Sequence, residues 1–90
     1  METYIDKPAV LIVDDNEEIL EFLQDDLGEI YSILTATDGT HALKILAEEV
    51  VQLIISDIMM PEMDGFELCA KIKSNFEWSH IPVILLTAKN

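Results

Sequence analysis

The residues able to do chemistry in this chain gather where apolar runs stop. Ala9-Val10-Leu11-Ile12-Val13 leads straight into Asp14-Asp15-Asn16. Val50-Val51-Gln52-Leu53-Ile54-Ile55 leads through Ser56 into Asp57. Pro82-Val83-Ile84-Leu85-Leu86 leads into Thr87. A carboxylate at the end of an apolar strand is a candidate ligand or nucleophile, because ligands of open α/β sheets bind at the carboxyl ends of the strands. Taken alone, Asp57 reads first as a helix cap or a solvated loop acid, since loops are rich in Asp for local reasons. The other two tips change that reading. Neighbouring parallel strands lie ~4.8 Å apart, so side chains at three adjacent tips can converge on one pocket. Three carboxylates in one pocket repel each other unless a cation offsets the charge. Hard oxygen donors with room for several waters suit Mg²⁺. An Mg²⁺ site beside a free carboxylate suits phosphoryl transfer, with the carboxylate attacking phosphorus to form an acyl phosphate. The Thr87 hydroxyl could then hydrogen-bond a phosphoryl oxygen.

The elements that would position these groups alternate. The run at Ala9–Val13 is apolar at every position, the pattern of a strand buried on both faces. A helix follows, capped by Asp15 or Asn16, with Glu17 and Glu18 at its positive end. Ile19, Phe22, Leu23 and Leu27 give it one apolar face, and Gly28 stops it. Tyr31–Ala36 reads as a second strand and Asp38-Gly39 as a turn. Thr40–Glu49 reads as a second helix with Ala42, Leu43, Ile45 and Leu46 inward. The third strand ends at Asp57. Pro61 then interrupts regular structure, having no N–H to donate, and Asp64-Gly65 signals another turn. Gly65–Ser74 reads as a third helix through Phe66, Leu68, Cys69 and Ile72. Phe76 and Trp78 flank a polar loop and are expected to cover the sheet edge. Pro82–Leu86 is a fourth buried strand. The order βαβαβαβ implies an α/β fold with a parallel sheet covered on both faces, and right-handed crossovers leave few topologies.

Composition narrows the function classes. Eighteen acids against five bases give a formal charge of −13. This disfavours nucleic acid and anionic membranes as direct partners of the segment, and suits a cation or a basic protein surface. Cys69 is the single cysteine in the sequence, so no internal disulfide forms. It reads as a small core residue rather than a nucleophile. His41 and His80 have no partners at metal-binding spacing and read as ordinary residues. No apolar run reaches the ~20 residues of a membrane span, and Met1-Glu2-Thr3-Tyr4 is unlike a signal peptide. A cytoplasmic domain is expected, or the cytoplasmic part of a membrane-anchored kinase.

Asp14-Asp15 after an apolar strand, Asp57 inside Asp-Ile-Met-Met-Pro-Glu-Met-Asp-Gly, and Pro-Val-Ile-Leu-Leu-Thr-Ala together resemble the receiver domains of bacterial two-component response regulators. The wording of the segments looks most like receivers embedded in hybrid sensor kinases. The resemblance implies a doubly wound, flavodoxin-like parallel sheet with strand order 2-1-3-4. It implies that residues 1–8 form a flexible N-terminal segment and residues 9–90 a partial receiver domain. Asp57 would be the phosphoacceptor for a histidine kinase. Asp14, Asp15 and Asp57 would hold Mg²⁺ together with the backbone carbonyl of Met59. Thr87 would turn inward on phosphorylation, and the small Ala88 would leave room for the phosphoryl group. Met59, two positions after the acceptor, has no group to orient an attacking water, which implies slow hydrolysis. Receivers also carry a fifth strand followed by a lysine, and two further helices. Lys89 follows the fourth strand directly and cannot be that lysine, so the chain reads as a C-terminally truncated receiver.

Two other classes compete. One is an Mg²⁺-dependent phosphohydrolase with an aspartate nucleophile. Such enzymes usually carry a second acid two positions after the nucleophile, where this chain has Met59. The other is a non-phosphorylated, receiver-shaped interaction module, against which the intact Asp14, Asp15, Asp57 and Thr87 argue. A fourth strand left as an open apolar edge further predicts self-association, as a two-fold dimer that pairs fourth strands or swaps elements to cover the sheet. The helix and strand faces expected to be exposed include parts of Ile19, Phe22, Leu23, Leu85 and Leu86.

Overall fold

The structure is a computed structural model that describes residues 7–87. Four strands, β1 (Ala9–Val13), β2 (Ser32–Ala36), β3 (Leu53–Asp57) and β4 (Val83–Leu86), alternate with three helices, α1 (Glu17–Leu27), α2 (Gly39–Glu48) and α3 (Gly65–Lys73). All strand pairs are parallel, and the sheet order is β2-β1-β3-β4. This is the α/β architecture and strand order read from the sequence. Of the first eight residues, 1–6 lie outside the described part. Lys7 donates to the Gly28 carbonyl, and the Pro8 carbonyl accepts from the Ser32 N–H.

Two cores sandwich the sheet. Leu11, Val13, Ile54, Leu68 and Ile72 are buried between the sheet and α2 with α3. Val10, Ile12 and Leu20 form a smaller core under α1, with Leu23, Ile33, Leu53 and Ile55 packed around it. Residues alternate between the two because successive strand side chains point to opposite faces. Truncating Leu11 or Ile54, both fully buried, would cost about 2–5 kcal/mol.

Each helix begins with an Asx cap just beyond a strand tip. The Asn16 side chain accepts from the N–H groups of Glu18 and Ile19. Asp38 accepts from the His41 N–H. Asp64 and Glu67 form a reciprocal capping box. These caps satisfy N–H groups that a helix cannot satisfy itself. At the other end of α3, the Lys73 ammonium donates to the carbonyls of Ser79 (3.2 Å) and Ile81 (2.5 Å), tying the turn that leads into β4.

Several side chains sit elsewhere than the sequence suggests. The buried residue of α1 is Leu20, not Ile19 or Phe22, and Phe22 is 66% exposed. The helix lies on β1 and β2 with Leu20 and Leu23 beneath it, which turns Ile19 and Phe22 toward the uncovered side. Phe66 faces outward on α3, where Leu68 and Ile72 fill the core face. Phe76 does not cover the sheet edge. It is 96% exposed, while Trp78 alone packs against the larger core. Val50 lies before β3 and in solvent. Ile84, read as part of a buried strand, is half in solvent, and Leu86, expected to be exposed in part at an open edge, is half in solvent too.

Candidate metal and phosphoacceptor site

Strand register builds the acidic site. Val13 pairs with Ser56 across β1 and β3, so the next residues, Asp14 and Asp57, are neighbours. Asp14 continues the face of Val10 and Ile12, and Asp57 that of Leu53 and Ile55, which places both carboxylates on the α1 side of the sheet. Backbone bonds carry the ladders past the strand ends. The Asp14 N–H donates to the Ala36 carbonyl (3.0 Å), and the Ile58 N–H to the Leu86 carbonyl (3.1 Å). One carboxylate oxygen from each of Asp14, Asp15 and Asp57 lies within 4.8 Å of the others. Asp14 and Asp57 are half-buried and Asp15 is exposed.

Asp14 registers the electrostatic consequence. Burial pushes its carboxyl above the usual carboxylate value, and the charges of Asp57 and Asp15 push it the same way. A hydrogen bond from the Asn16 N–H to Asp14 Oδ1 (2.9 Å) opposes them without cancelling them. Three hard oxygen donors at this spacing, one of them already resisting its charge, fit a small divalent cation.

The loop holding Asp57 is braced at several points that sequence reasoning missed. The fully buried Ser56 hydroxyl donates to the Asp57 carbonyl (2.9 Å). The Gly65 N–H donates to the Ile58 carbonyl (2.8 Å). A Cβ on Gly65 would collide with the Asp57 carbonyl oxygen, so glycine here permits α3 to start against the end of β3. The Met63 N–H donates to the Pro61 carbonyl (2.8 Å) around Glu62, whose φ is 69°. That three-residue turn is strained for a side-chain-bearing residue. The Met63 side chain then fills the space a Cβ on Gly39 would need. The acceptor loop is thus wedged between the starts of α2 and α3. Both Asp-Gly pairs were readable as turns. The structure uses their aspartates as caps and their glycines for close approach, and no described glycine has a positive φ.

The remaining candidates are not part of this carboxylate cluster. Thr87 follows β4 directly, one position past Leu86, the partner of Asp57, and is exposed. The Met59 side chain is also exposed, and the hydrogen bonds that fix its loop go to the carbonyls of Ile58 and Pro61. Ala88 and Lys89 lie outside the described residues. His41 and His80 are exposed, and Cys69 is a free, half-buried thiol.

The raised Asp14 carboxyl has a thermal consequence. A group whose folded value lies above its unfolded one stabilises the fold fully below the unfolded value, near 3.8 here, and that contribution is lost as pH rises through the folded value. At neutral pH the charged carboxylate bears the cost of its burial and, after that, repulsion from Asp57 and Asp15. Asp14→Asn keeps the acceptor for the Asn16 N–H and removes the charge. Thermal melts in chelator should show a higher Tm for Asp14→Asn than for the parent. Added Mg²⁺ should raise the Tm of the parent much more than that of the variant. A variant that melts lower without metal would contradict the repulsion.

Comparison with known proteins agrees with this geometry. The family of response regulator receiver domains matches residues 10–90. The chain is 46% identical over 85 residues to histidine kinase P4 of Formosa agariphila, covering 94% of this chain and 6% of that protein. It is 44% identical over 80 residues to the response regulator PleD of Caulobacter vibrioides, covering 88% and 18%. It therefore spans only a small part of these curated relatives. Among solved structures, the chemotaxis response regulator CheY4 of Vibrio cholerae superposes with a TM-score of 0.87 at 32% identity, covering 93% of this chain and 71% of that one. The receiver domain of a signal transduction histidine kinase from Syntrophus aciditrophicus superposes at 0.85 with 39% identity, covering 92% and 64%. Among the described residues, no helix is long and apolar enough to cross a membrane. With its parallel sheet in the order 2-1-3-4 and an acidic triad at the strand tips, the chain belongs to the response regulator receiver domain family.

Proposed function

We propose that Asp57 accepts a phosphoryl group from a histidine of a kinase, in a reaction that depends on Mg²⁺. The supporting observation is the acidic triad, in which Asp57 stands half-buried at a strand tip beside two further carboxylates. Asp14, Asp15, Asp57 and the Met59 carbonyl would hold the cation. Mg²⁺ bound there supplies charge neutralisation for the incoming phosphoryl oxygens. The Asp57 carboxylate oxygen forms the new O–P bond as the N–P bond of the donor breaks. The leaving imidazole keeps that electron pair and takes a proton from solvent. The braced 58–64 loop keeps Asp57 aimed while this occurs, which is the orientation part of the catalysis. Thr87, one strand over, donates its hydroxyl to a phosphoryl oxygen. The parent protein would use this event to control an output or kinase module. A hydrolase reading is disfavoured because Met59 occupies the position where a second acid would work.

The acceptor is testable with a small phosphoramidate donor and Mg²⁺. Intact-mass measurement should show one phosphoryl group on the parent chain, labile to hydroxylamine, and none on Asp57→Asn. Equal labelling of the two proteins would remove Asp57 from the role.

We also propose that the 90-residue chain pairs with a second copy through β4. This strand lies at the edge of the sheet. Its Ile84 and Leu86, 46% and 50% exposed, stand on the same side as the exposed Ile19 and Phe22. Such an edge offers unpaired backbone groups together with apolar surface. Identical edge strands pair antiparallel about a two-fold axis. Size exclusion with light scattering at micromolar concentration should give a dimer. A monomer whose Tm is unchanged by dilution would overturn it.

A further inference from the structure

The end of the sheet away from the acidic strand tips carries a second feature that phosphoryl transfer does not use. A cleft of about 180 Å³ opens where α2 ends and the turn before β4 begins. Leu46 and Ile81 floor it, Val50 and Trp78 wall it, and Glu49 and Glu77 stand at its rim. Leu46 and Ile81 are buried and Trp78 is half-buried, yet Val50 is 79% exposed. The cleft thus sets an exposed aliphatic side chain beside a half-buried indole. The volume exceeds the ~150 Å³ of a cavity able to hold benzene. One aromatic side chain therefore fits, with Trp78 offering a flat wall for stacking.

Charge states what must flank that side chain. Glu48 and Glu49 lie at the negative end of α2, whose last turn holds no basic residue. A helix favours cations there, by ~0.3–1 kcal/mol per group. Glu77 adds to the same rim, and Lys73, the nearest base on α3, is engaged with backbone carbonyls. Local preferences violated in this way are satisfied when a partner brings positive charge. Acids at the rim exclude nucleic acid and anionic lipid.

We propose that this cleft docks a protein segment carrying one aromatic side chain flanked by lysines or arginines. The aromatic ring enters between Val50 and Trp78, and the flanking cations meet Glu49 and Glu77. The cleft lies at the start of β3 and Asp57 at its end, and the strand is five residues long, four steps or roughly 13 Å at ~3.3 Å per residue. A segment bound here leaves the acidic site open, so docking and phosphoryl transfer can occur together. The proposal does not depend on Asp57 being the acceptor.

The test is an NMR titration of the ¹⁵N-labelled chain with a short peptide in which Phe stands between pairs of lysines. Two control peptides replace Phe by Ala, or the lysines by glutamates. Shifts should centre on residues 46–51 and 77–81 and on the Trp78 indole. The Ala peptide should bind about ten-fold more weakly, equivalent to ~1.4 kcal/mol, and the glutamate peptide should not bind. The double variant Glu49→Lys/Glu77→Lys changes only exposed side chains. It should weaken the lysine peptide about ten-fold and admit the glutamate peptide. The proposal fails if the Ala peptide binds equally, if the shifts centre on Asp14, Asp15 and Asp57, or if charge reversal leaves binding unchanged.

Discussion

Mutual repulsion among Asp14, Asp15 and Asp57 is the constraint on which the site depends, and the β1–β3 register imposes it. Val13 opposite Ser56 forces Asp14 beside Asp57. The two cores lock that register. A slip of one residue would carry Ile54 and Ser56 to the α1 face and Ile55 and Asp57 to the other. Burial of Leu11, Ile54, Ile12 and their neighbours therefore holds together three carboxylates that would otherwise separate. A cation binding there relieves a repulsion the fold already sustains.

The two faces of the sheet differ in a way that suits this role. Two helices and the larger core cover one face, while α1 alone and a three-residue buried core cover the other. Both Asp14 and Asp57 project on the thinly covered side. They are half-buried: desolvated enough to raise Asp14, yet open to a donor. Support comes from behind the loop. Ser56, Gly65, Met63 and Gly39 fix the acceptor segment from the well-packed side, and Glu62 absorbs the strain of the turn. A rigid carboxylate with an open front is the arrangement nucleophilic attack requires.

What the sequence disclosed follows from how local each signal is. Continuous apolar runs ending in Asp14, Asp57 and Thr87 marked strands, direction and site together, because parallel strands share an edge. The cap at Asn16 was legible as a residue type at a helix start, whereas Asp38 and Asp64 read only as turn residues and serve as caps in the structure. Helix faces were less legible. Ile19, Leu20, Phe22 and Leu23 are all apolar, and periodicity cannot say which pair faces the sheet until the helix is docked. Phe66 and Phe76 misled for the same reason: apolar character alone does not bury a side chain. The Met63–Gly39 contact was invisible, since it depends on an approach between segments distant in sequence, and the Ser56 bond to its neighbour Asp57 depends on a side-chain orientation that residue type alone does not state.

Direct titration of the Asp14 carboxyl tests the central claim most closely. In ¹³C NMR of the chain labelled at aspartate Cγ, Asp14 should titrate above the ordinary value of 3.8 in metal-free buffer. Saturating Mg²⁺ should bring it below that value, because the cation favours the charged form. An Asp14 that titrates at or below 3.8 without metal, or that ignores Mg²⁺, would contradict the account of a strained acidic pocket built for a cation.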